Sequence, residues 1–457
     1  METPEHRRRE AGPERALVTA VRARNADAVR TLLDEGADPD AAGADGLPVL
    51  CAALAAYDEP VAEALMAGGA NPDRPLPDGT TPLLRAVDLG SPAMVTAVLG
   101  NEPRLRLPPA ARERLLALAR NWYETGAAEE LRRRTGAPGP AETSLVHDDA
   151  YDHVEQVSLG GLTVRAGHGA VLTSLEWAFR ILTPADELVA RAVRHPDENH
   201  VDRSASCFVL SNRRSKETWS AVVAHRHHPS PAHRRFVARY LWTRAVLDTA
   251  GPHSSADEES RLLAVWAAEE TDSEVLAQIL EACTTRQHPD QEAIGLRHAD
   301  HPDPRVRREV PYCFLTHGTP RTPTATGALF TLVHDPDAEV RSAVCTVLGR
   351  EREPTPRTRH ALLALIRDPD TAVRASAAAA LSTSADRTPA VTDTFVALLD
   401  DDDRQLRLEG AYGLARRDDP RTEAAYERVG PLGPHLDHDH RADELWRWRR
   451  RNTPDRP

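Results

Sequence analysis

Asp335–Leu348 reads DPDAEVRSAVCTVL. Val340, Ala343, Val344, Val347 and Leu348 stand at i, i+3, i+4, i+7 and i+8, which is one buried stripe on an amphipathic helix. Asp335 is read as the N-cap, with Pro336 at the first helical position, where its missing N–H costs nothing. The pattern returns 33 residues on as Asp368-Pro369-Asp370 followed by Val373, Ala377, Ala380 and Leu381, and after another 33 as Asp401-Asp402-Asp403 followed by Leu406 and Leu414. One step back, Val306, Val310, Cys313 and Phe314 keep the same phase. A second helix repeats in step: Ala328–Val333, Ala361–Ile366 and Thr394–Leu399. Neither helix of such a pair can bury its stripe alone, so neighbouring pairs must stack. A fixed period of this kind means a solenoid. Asp303/Arg307, Asp337/Arg341, Asp370/Arg374 and Asp403/Arg407 stand at i, i+4 and are expected to pair within each helix as a charged ladder.

This DPDxxVR pattern resembles the short HEAT-like repeats of bilin-lyase-type proteins, strongly over 290–430 and more weakly over 186–285.

Outward from this array, the N-terminal third repeats with the same period but different residues. Leu17, Leu50 and Leu83 correspond, as do Ala20, Ala53 and Ala86, and Leu32, Leu65 and Val98. Gly36-Ala37-Asp38-Pro39-Asp40 is echoed by Gly69-Ala70-Asn71-Pro72-Asp73, and Asp45-Gly46 by Asp78-Gly79. Gly36 and Gly69 fit positions just past a helix end, and Asp-Gly fits a tight turn at the tip of a finger. These units resemble the ankyrin repeat. Thr81-Pro82-Leu83 keeps the family's helix-start signature; Leu84 stands where the family has His, and Pro48-Val49-Leu50-Cys51 departs further. The degenerate stretch 108–134 is expected to cap the array.

The sequence is therefore read as an all-α solenoid. Residues 1–12 form a disordered tail, 13–135 hold three to four ankyrin repeats, and 136–185 are a linker with a small β-hairpin around Gly160-Gly161 and a helix from Ser174. Residues 186–430 hold six to seven HEAT-like repeats, and 431–457 are a tail with a short helix around Ala442–Trp448.

Composition narrows the function. The net charge of −13 argues against general nucleic-acid binding. No apolar run approaches a membrane span, and the N-terminus lacks a secretory signal. Cys51, Cys207, Cys283, Cys313 and Cys345 are too far apart for a metal motif, which points to a reduced, cytoplasmic chain. Lys216 is the one lysine beside many arginines, the mark of a GC-rich bacterial genome.

Three groups are candidate metal sites: His435, Asp437, His438, Asp439 and His440; His225, His227, His228 and His233; and His147, Asp148, Asp149, Asp152 and His153. None has the four-ligand spacing of structural zinc, so no metal or cofactor is expected. The HEAT-like deoxyhypusine hydroxylases hold iron with His-Glu pairs, and this sequence has no His-Glu dipeptide. A HEAT-like DNA glycosylase would use a basic groove with Trp and Asp; Trp177, Trp219, Trp242 and Trp266 are better read as core. Neither a nucleophile elbow nor a P-loop is present, so no catalytic residue is named. The arginine runs Arg7–Arg9, Arg132–Arg134 and Arg447–Arg451 are read as solvated ends or acidic-partner docking. The reading is a non-catalytic protein–protein scaffold or adaptor. Its expected partner-binding residues are Asp40, Asp45, Asp73 and Asp78 at the fingers, facing a basic protein surface. The rival reading is a bilin-lyase/isomerase-like or glycosylase-like enzyme with a site in the HEAT groove.

Overall fold

The computed structural model describes residues 4–247, 256–286, 288–315, 320–351, 353–430 and 439–452, with side chains from residue 12 onward. The chain forms two compact units, residues 1–244 and 245–457.

The first unit opens with paired helices at the ankyrin period: Pro4–Arg22 with Ala26–Asp34, Val49–Ala55 with Glu59–Ala67, and Pro82–Leu89 with Pro92–Leu99. The first helix thus begins inside the segment read as a tail. Leu17, Leu50 and Leu83 stack in one core, as their shared phase requires. Each second helix is capped from its own sequence: Asn25 accepts from Ala28 N at 2.9 Å, Asp58 from Val61 N at 3.2 Å and Ser91 from Met94 N at 3.3 Å. Thr81 caps the third unit's first helix through Leu84 N at 3.1 Å. In the second unit, Pro48 stands in that place and offers no side-chain bond. The longer helix Pro109–Thr125 and Ala127–Thr135 follow.

The segment 136–185 is not a spacer. It carries three strands, β1 Glu142–His147, β2 His153–Leu159 and β3 Leu162–Arg165, in antiparallel order β1-β2-β3. The expected hairpin is β2–β3. Its turn residues Gly160 and Gly161 have φ of 61° and 82°, the left-handed pair of a two-residue hairpin loop. β1 was missed, and the following helix runs His168–Ala178 rather than from Ser174. That helix sends Val171, Leu172 and Leu175 into the ankyrin core, joined by Phe179 just past its end. Asp148, just after β1, is buried: it accepts from Ser91 Oγ at 2.6 Å, Ala93 N at 2.8 Å and Arg165 at 2.7 Å. The join is tight at Gly90. Gly167 N donates to Gly90 O at 3.0 Å, and a Cβ on Gly90 would lie 2.0 Å from Arg165 O. The two preceding units place Arg24 and Tyr57 at this left-handed position (φ 55° and 51°); only where the sheet meets the stack is glycine required. Ala185–Ala192 with Val201–Asn212, and Lys216–Ala224 followed by the helix from Pro231, complete this unit.

Among the described residues, the second unit is an array of six helix pairs. Their second helices are Ser273–Arg286, Pro304–Cys313, Ala338–Leu348, Thr371–Thr383, Arg404–Ala415 and His440–Asn452, each packed on the next. Val306, Val340, Val373 and Leu406 are fully buried at equivalent positions. The expected C-terminal tail supplies the last helix, longer than read, burying Ala442, Leu445 and Trp448.

Two sequence readings of the repeat are corrected. The cap is the second acid of the motif: Asp337 accepts from Glu339 N and Val340 N at 2.9 and 3.2 Å, and Asp370 and Asp403 do the same. The first acid reaches the preceding unit. Arg307 grips Asp335 at 2.7 and 2.8 Å, and Arg341 grips Asp368 at 2.8 Å through both nitrogens. The charged ladder exists, but it runs between helices rather than within them. The same arginines also donate to carbonyls at the start of their own repeat; Arg341 binds Asp335 O at 2.7 Å and Pro336 O at 3.1 Å. Bidentate geometry at half-buried positions is where an ion pair is worth more than a solvated contact.

Candidate functional site

The finger residues separate into two kinds. Asp45 and Asp78 are exposed on their Asp-Gly turns. Asp45 accepts from Leu47 N at 3.1 Å. Asp78 accepts from Thr80 N at 2.9 Å, Thr80 Oγ1 at 2.6 Å and Arg85 at 2.8 Å. Those bonds, the Thr80 hydroxyl first, hold its carboxyl down at about 2. Asp40 and Asp73 are half-buried and support the stack: Asp40 accepts from Asn71 N at 2.9 Å, and Asp73 pairs with Arg106. The finger turns are therefore rigid, and two of the four carboxylates face solvent.

A second cluster went unread in the sequence. Glu155 on β2 meets His195 and His200 from the loop before Val201–Asn212, with Asp202 on that helix behind them. His200 donates from Nε2 to Glu155 at 3.0 Å, and His195 Nδ1 lies 3.4 Å from the same carboxylate. His195 Nε2 is 3.7 Å from Asp202, which is buried and accepts from Ala170 N at 2.6 Å. The two imidazole hydrogen bonds push the Glu155 carboxyl well below its ordinary range. Burial of the His195 ring opposes its proton, but Glu155 and Asp202 outweigh it and raise the pKa.

Glu155, His195 and His200 offer ligand atoms within 4.8 Å of one another, so a metal is the first chemistry to test. The geometry does not suit one. His200 Nδ1 accepts from Asp202 N at 3.2 Å, which places the ring hydrogen on Nε2, the nitrogen a metal would need bare. The two rings are stacked, with centroids 3.7 Å apart and planes 11° apart, so their in-plane lone pairs cannot converge on one ion. The cluster ties strand β2 to the helix Val201–Asn212 and the loop before it. The available signal in the sequence was His195-Pro196-Asp197, which repeats as His228-Pro229-Ser230 and His301-Pro302-Asp303.

Most residues of the other candidate groups are engaged in structure. Asp149 closes its own turn, Asp152 takes Ser204 Oγ at 2.7 Å, and His153 lies 3.1 Å from Asp197. His147 meets His153 edge-on. His233 stacks on both His225 and His228. Asp439 pairs with Arg441, and His440 packs edge-on to Tyr412; His435, Asp437 and His438 lie outside the described residues. Trp177, Trp219, Trp242 and Trp266 sit on four different helices, with Trp266 buried. Arg132, Arg133 and Arg134 pair with Glu129, Glu130 and Asp88. In the last run, Arg449 and Arg451 lie beside Glu423 and Glu444. The side chains of Arg7–Arg9 are outside the described residues. No described helix is long and apolar enough to cross a membrane.

Two repeat-family models match parts of the chain. Ankyrin repeats (3 copies) match residues 16–106, and HEAT repeats match residues 326–415. No curated protein matches the chain in sequence. Among solved structures, E. coli YibA is similar at 17% identity and a TM-score of 0.43, over 58% of this chain and 93% of its own. Kap95p, from a structure with RanGDP, is similar at 12% identity and a TM-score of 0.40, over 98% of this chain and 56% of its own. With three helix pairs built around Leu17, Leu50 and Leu83, and an Asp-Arg ladder joining the later pairs, the chain is a helical-repeat protein carrying ankyrin repeats at 16–106 and HEAT repeats at 326–415.

Proposed function

We propose that this chain is a non-catalytic adaptor of the cytoplasm that binds a basic surface on another protein through its ankyrin fingers. The observation that carries the reading is the pair of exposed carboxylates, Asp45 and Asp78, on turns already fixed by internal hydrogen bonds. A preorganised turn loses little entropy on binding, and loops on a rigid scaffold are where recognition concentrates. Asp40 and Asp73 belong to the same surface but act by holding one finger against the next. Five free, buried cysteines suit a reducing compartment.

The test is affinity capture from the native host with the full chain and with Asp45→Asn/Asp78→Asn. A protein retained by the parent chain should elute at lower salt from the double variant, with binding weakened by about tenfold for two lost charge contacts of roughly 0.7 kcal/mol each. Asp40→Asn/Asp73→Asn should instead lower thermal stability. Retention of the same proteins at unchanged salt by the double variant would remove the fingers as the site.

A further inference from the structure

In the second unit, the C-terminal ends of three successive repeat helices, Ala338–Leu348, Thr371–Thr383 and Arg404–Ala415, border one pocket of about 570 Å³. Four arginines line it: Arg350, Arg387, Arg416 and Arg417. Glu351 is the acid in the lining, and it is already engaged by Arg321 and by the Thr358 hydroxyl at 2.7 Å.

Arg417 differs from the other three. It is buried, and its guanidinium is spent on backbone carbonyls: Asp386 O at 3.0 Å, Leu381 O at 2.8 Å and Gly413 O at 2.9 Å among them. It closes the helix ends, the work expected of a cation at a helix C-terminus. Arg350, Arg387 and Arg416 are exposed and make no ion pair among the described residues. Arg387 gives one nitrogen to Arg417 O at 3.0 Å, and Arg416 lies over the Tyr412 ring at 5.9 Å. A chain with a net charge of −13 thus concentrates unpaired positive charge in one concavity. The field is felt inside it: desolvation first, then repulsion by Arg387 and Arg416, lower the Arg417 pKa to about 10.

We propose that this pocket binds a phosphate monoester dianion, held by Arg350, Arg387 and Arg416, with Arg417 as its fixed floor. A guanidinium presents paired N–H donors that match phosphate oxygens, and three from successive repeats surround a tetrahedral anion better than a planar carboxylate. The dianion also offsets the surplus charge that a single carboxylate leaves partly uncompensated. The phosphate can come from a phosphorylated side chain of a partner protein or from a free phosphorylated metabolite; both present the same oxygens.

The experiment is calorimetric titration of the full chain, in a phosphate-free buffer of low ionic strength, with inorganic phosphate, with a phosphoserine peptide and with its unphosphorylated form. The expected result is one site for phosphate and for the phosphopeptide, none for the unphosphorylated peptide, and affinity that falls as salt rises. Tighter binding of the phosphopeptide than of phosphate assigns a protein source; equal binding assigns a small metabolite. Arg350→Glu/Arg387→Glu should cut affinity at least tenfold, whereas Arg367→Glu/Arg297→Glu, equal in charge change but outside the lining, should leave it within twofold. The conservative Arg350→Gln/Arg387→Gln variant, checked for an unchanged melting midpoint, keeps the test valid if the charge reversal unfolds the array. Absence of phosphate and phosphopeptide binding by the parent chain at millimolar concentration, or equal loss in pocket and control variants, overturns the proposal.

Discussion

His195 shows how much one residue's surroundings decide. It lies between Glu155 and Asp202, with His200 stacked on its face and Arg194 as the nearby cation that opposes its proton. Its pKa in the fold is raised above the ordinary value of about 6.5. A group raised on folding stabilises fully below its unfolded pKa, and that stability is lost as pH climbs through the folded value. The first unit should therefore melt at a lower temperature at pH 8.5 than at pH 6. Asp202 is raised too, by its burial first, and a raised carboxyl also loses its stabilising contribution as pH climbs, so it acts in the same direction. Thermal melts across pH 6 to 8.5 check the expectation: His195→Gln should flatten the dependence, and an unchanged slope in that variant would show that other groups set it. The sequence displayed His195 as one copy of a recurring His-Pro pair, but nothing in it told which strand residue would face the ring. Glu155 comes from another part of the chain, and only the β2 register brings it there.

At the level of the element, the buried stripe was legible and the polar bonding was not. Val306, Val340, Val373 and Leu406 recur at a fixed spacing, and all four are fully buried. Hydrophobic period is a one-dimensional signal that survives without coordinates. The two acids of DPD are chemically alike, so the sequence could not say which one caps and which one takes the neighbouring arginine. The geometry does: Asp337 caps, and Asp335 pairs across the repeat. β1 escaped for a related reason. It is an edge strand whose side chains are mostly exposed, so ETSLVH shows no apolar alternation. The stripe gives the sharpest stability expectation. Val373→Asp puts an unpaired carboxylate where no water reaches and should cost about 3 kcal/mol or more. Thr371→Asp, exposed and two residues away, should change stability by less than about 0.5 kcal/mol. Denaturant midpoints of the two variants decide it; equal losses would mean the stripe is not the core of the array.

For the whole molecule, two repeat families were legible because each writes its period in apolar residues. The region between them was misread as a linker because its proline and glycine content resembles one. Its anchorage depends on single long-range contacts such as Asp148 to Ser91 and Gly167 to Gly90. The Asp-Arg ladder carries a further consequence, which concerns length. Two successive repeat boundaries, Asp335-Pro336-Asp337 and Asp368-Pro369-Asp370, present the same cap, the same proline and the same cross-repeat pair, so the units they join are interchangeable parts. Deleting residues 338–370 would join Asp337 to Thr371, keep Arg307 on Asp335, and set Val373 where Val340 had been. In a solenoid each unit contacts its neighbours alone, so such a chain should fold with one repeat fewer, and circular dichroism should show its helix content per residue unchanged. Moving both ends of the same deletion to the middle of their helices, 343–375, removes the same Asp368-Pro369-Asp370 boundary but joins Ser342 to Ser376 inside a helix, and serves as the matched comparison. If both shortened chains fold, phase alone governs the array; if neither does, the repeats are individually irreplaceable. We expect both to fold, since a 33-residue step preserves register wherever it is cut, and the array's length is then a quantity that can vary in whole repeats without redesign of what remains.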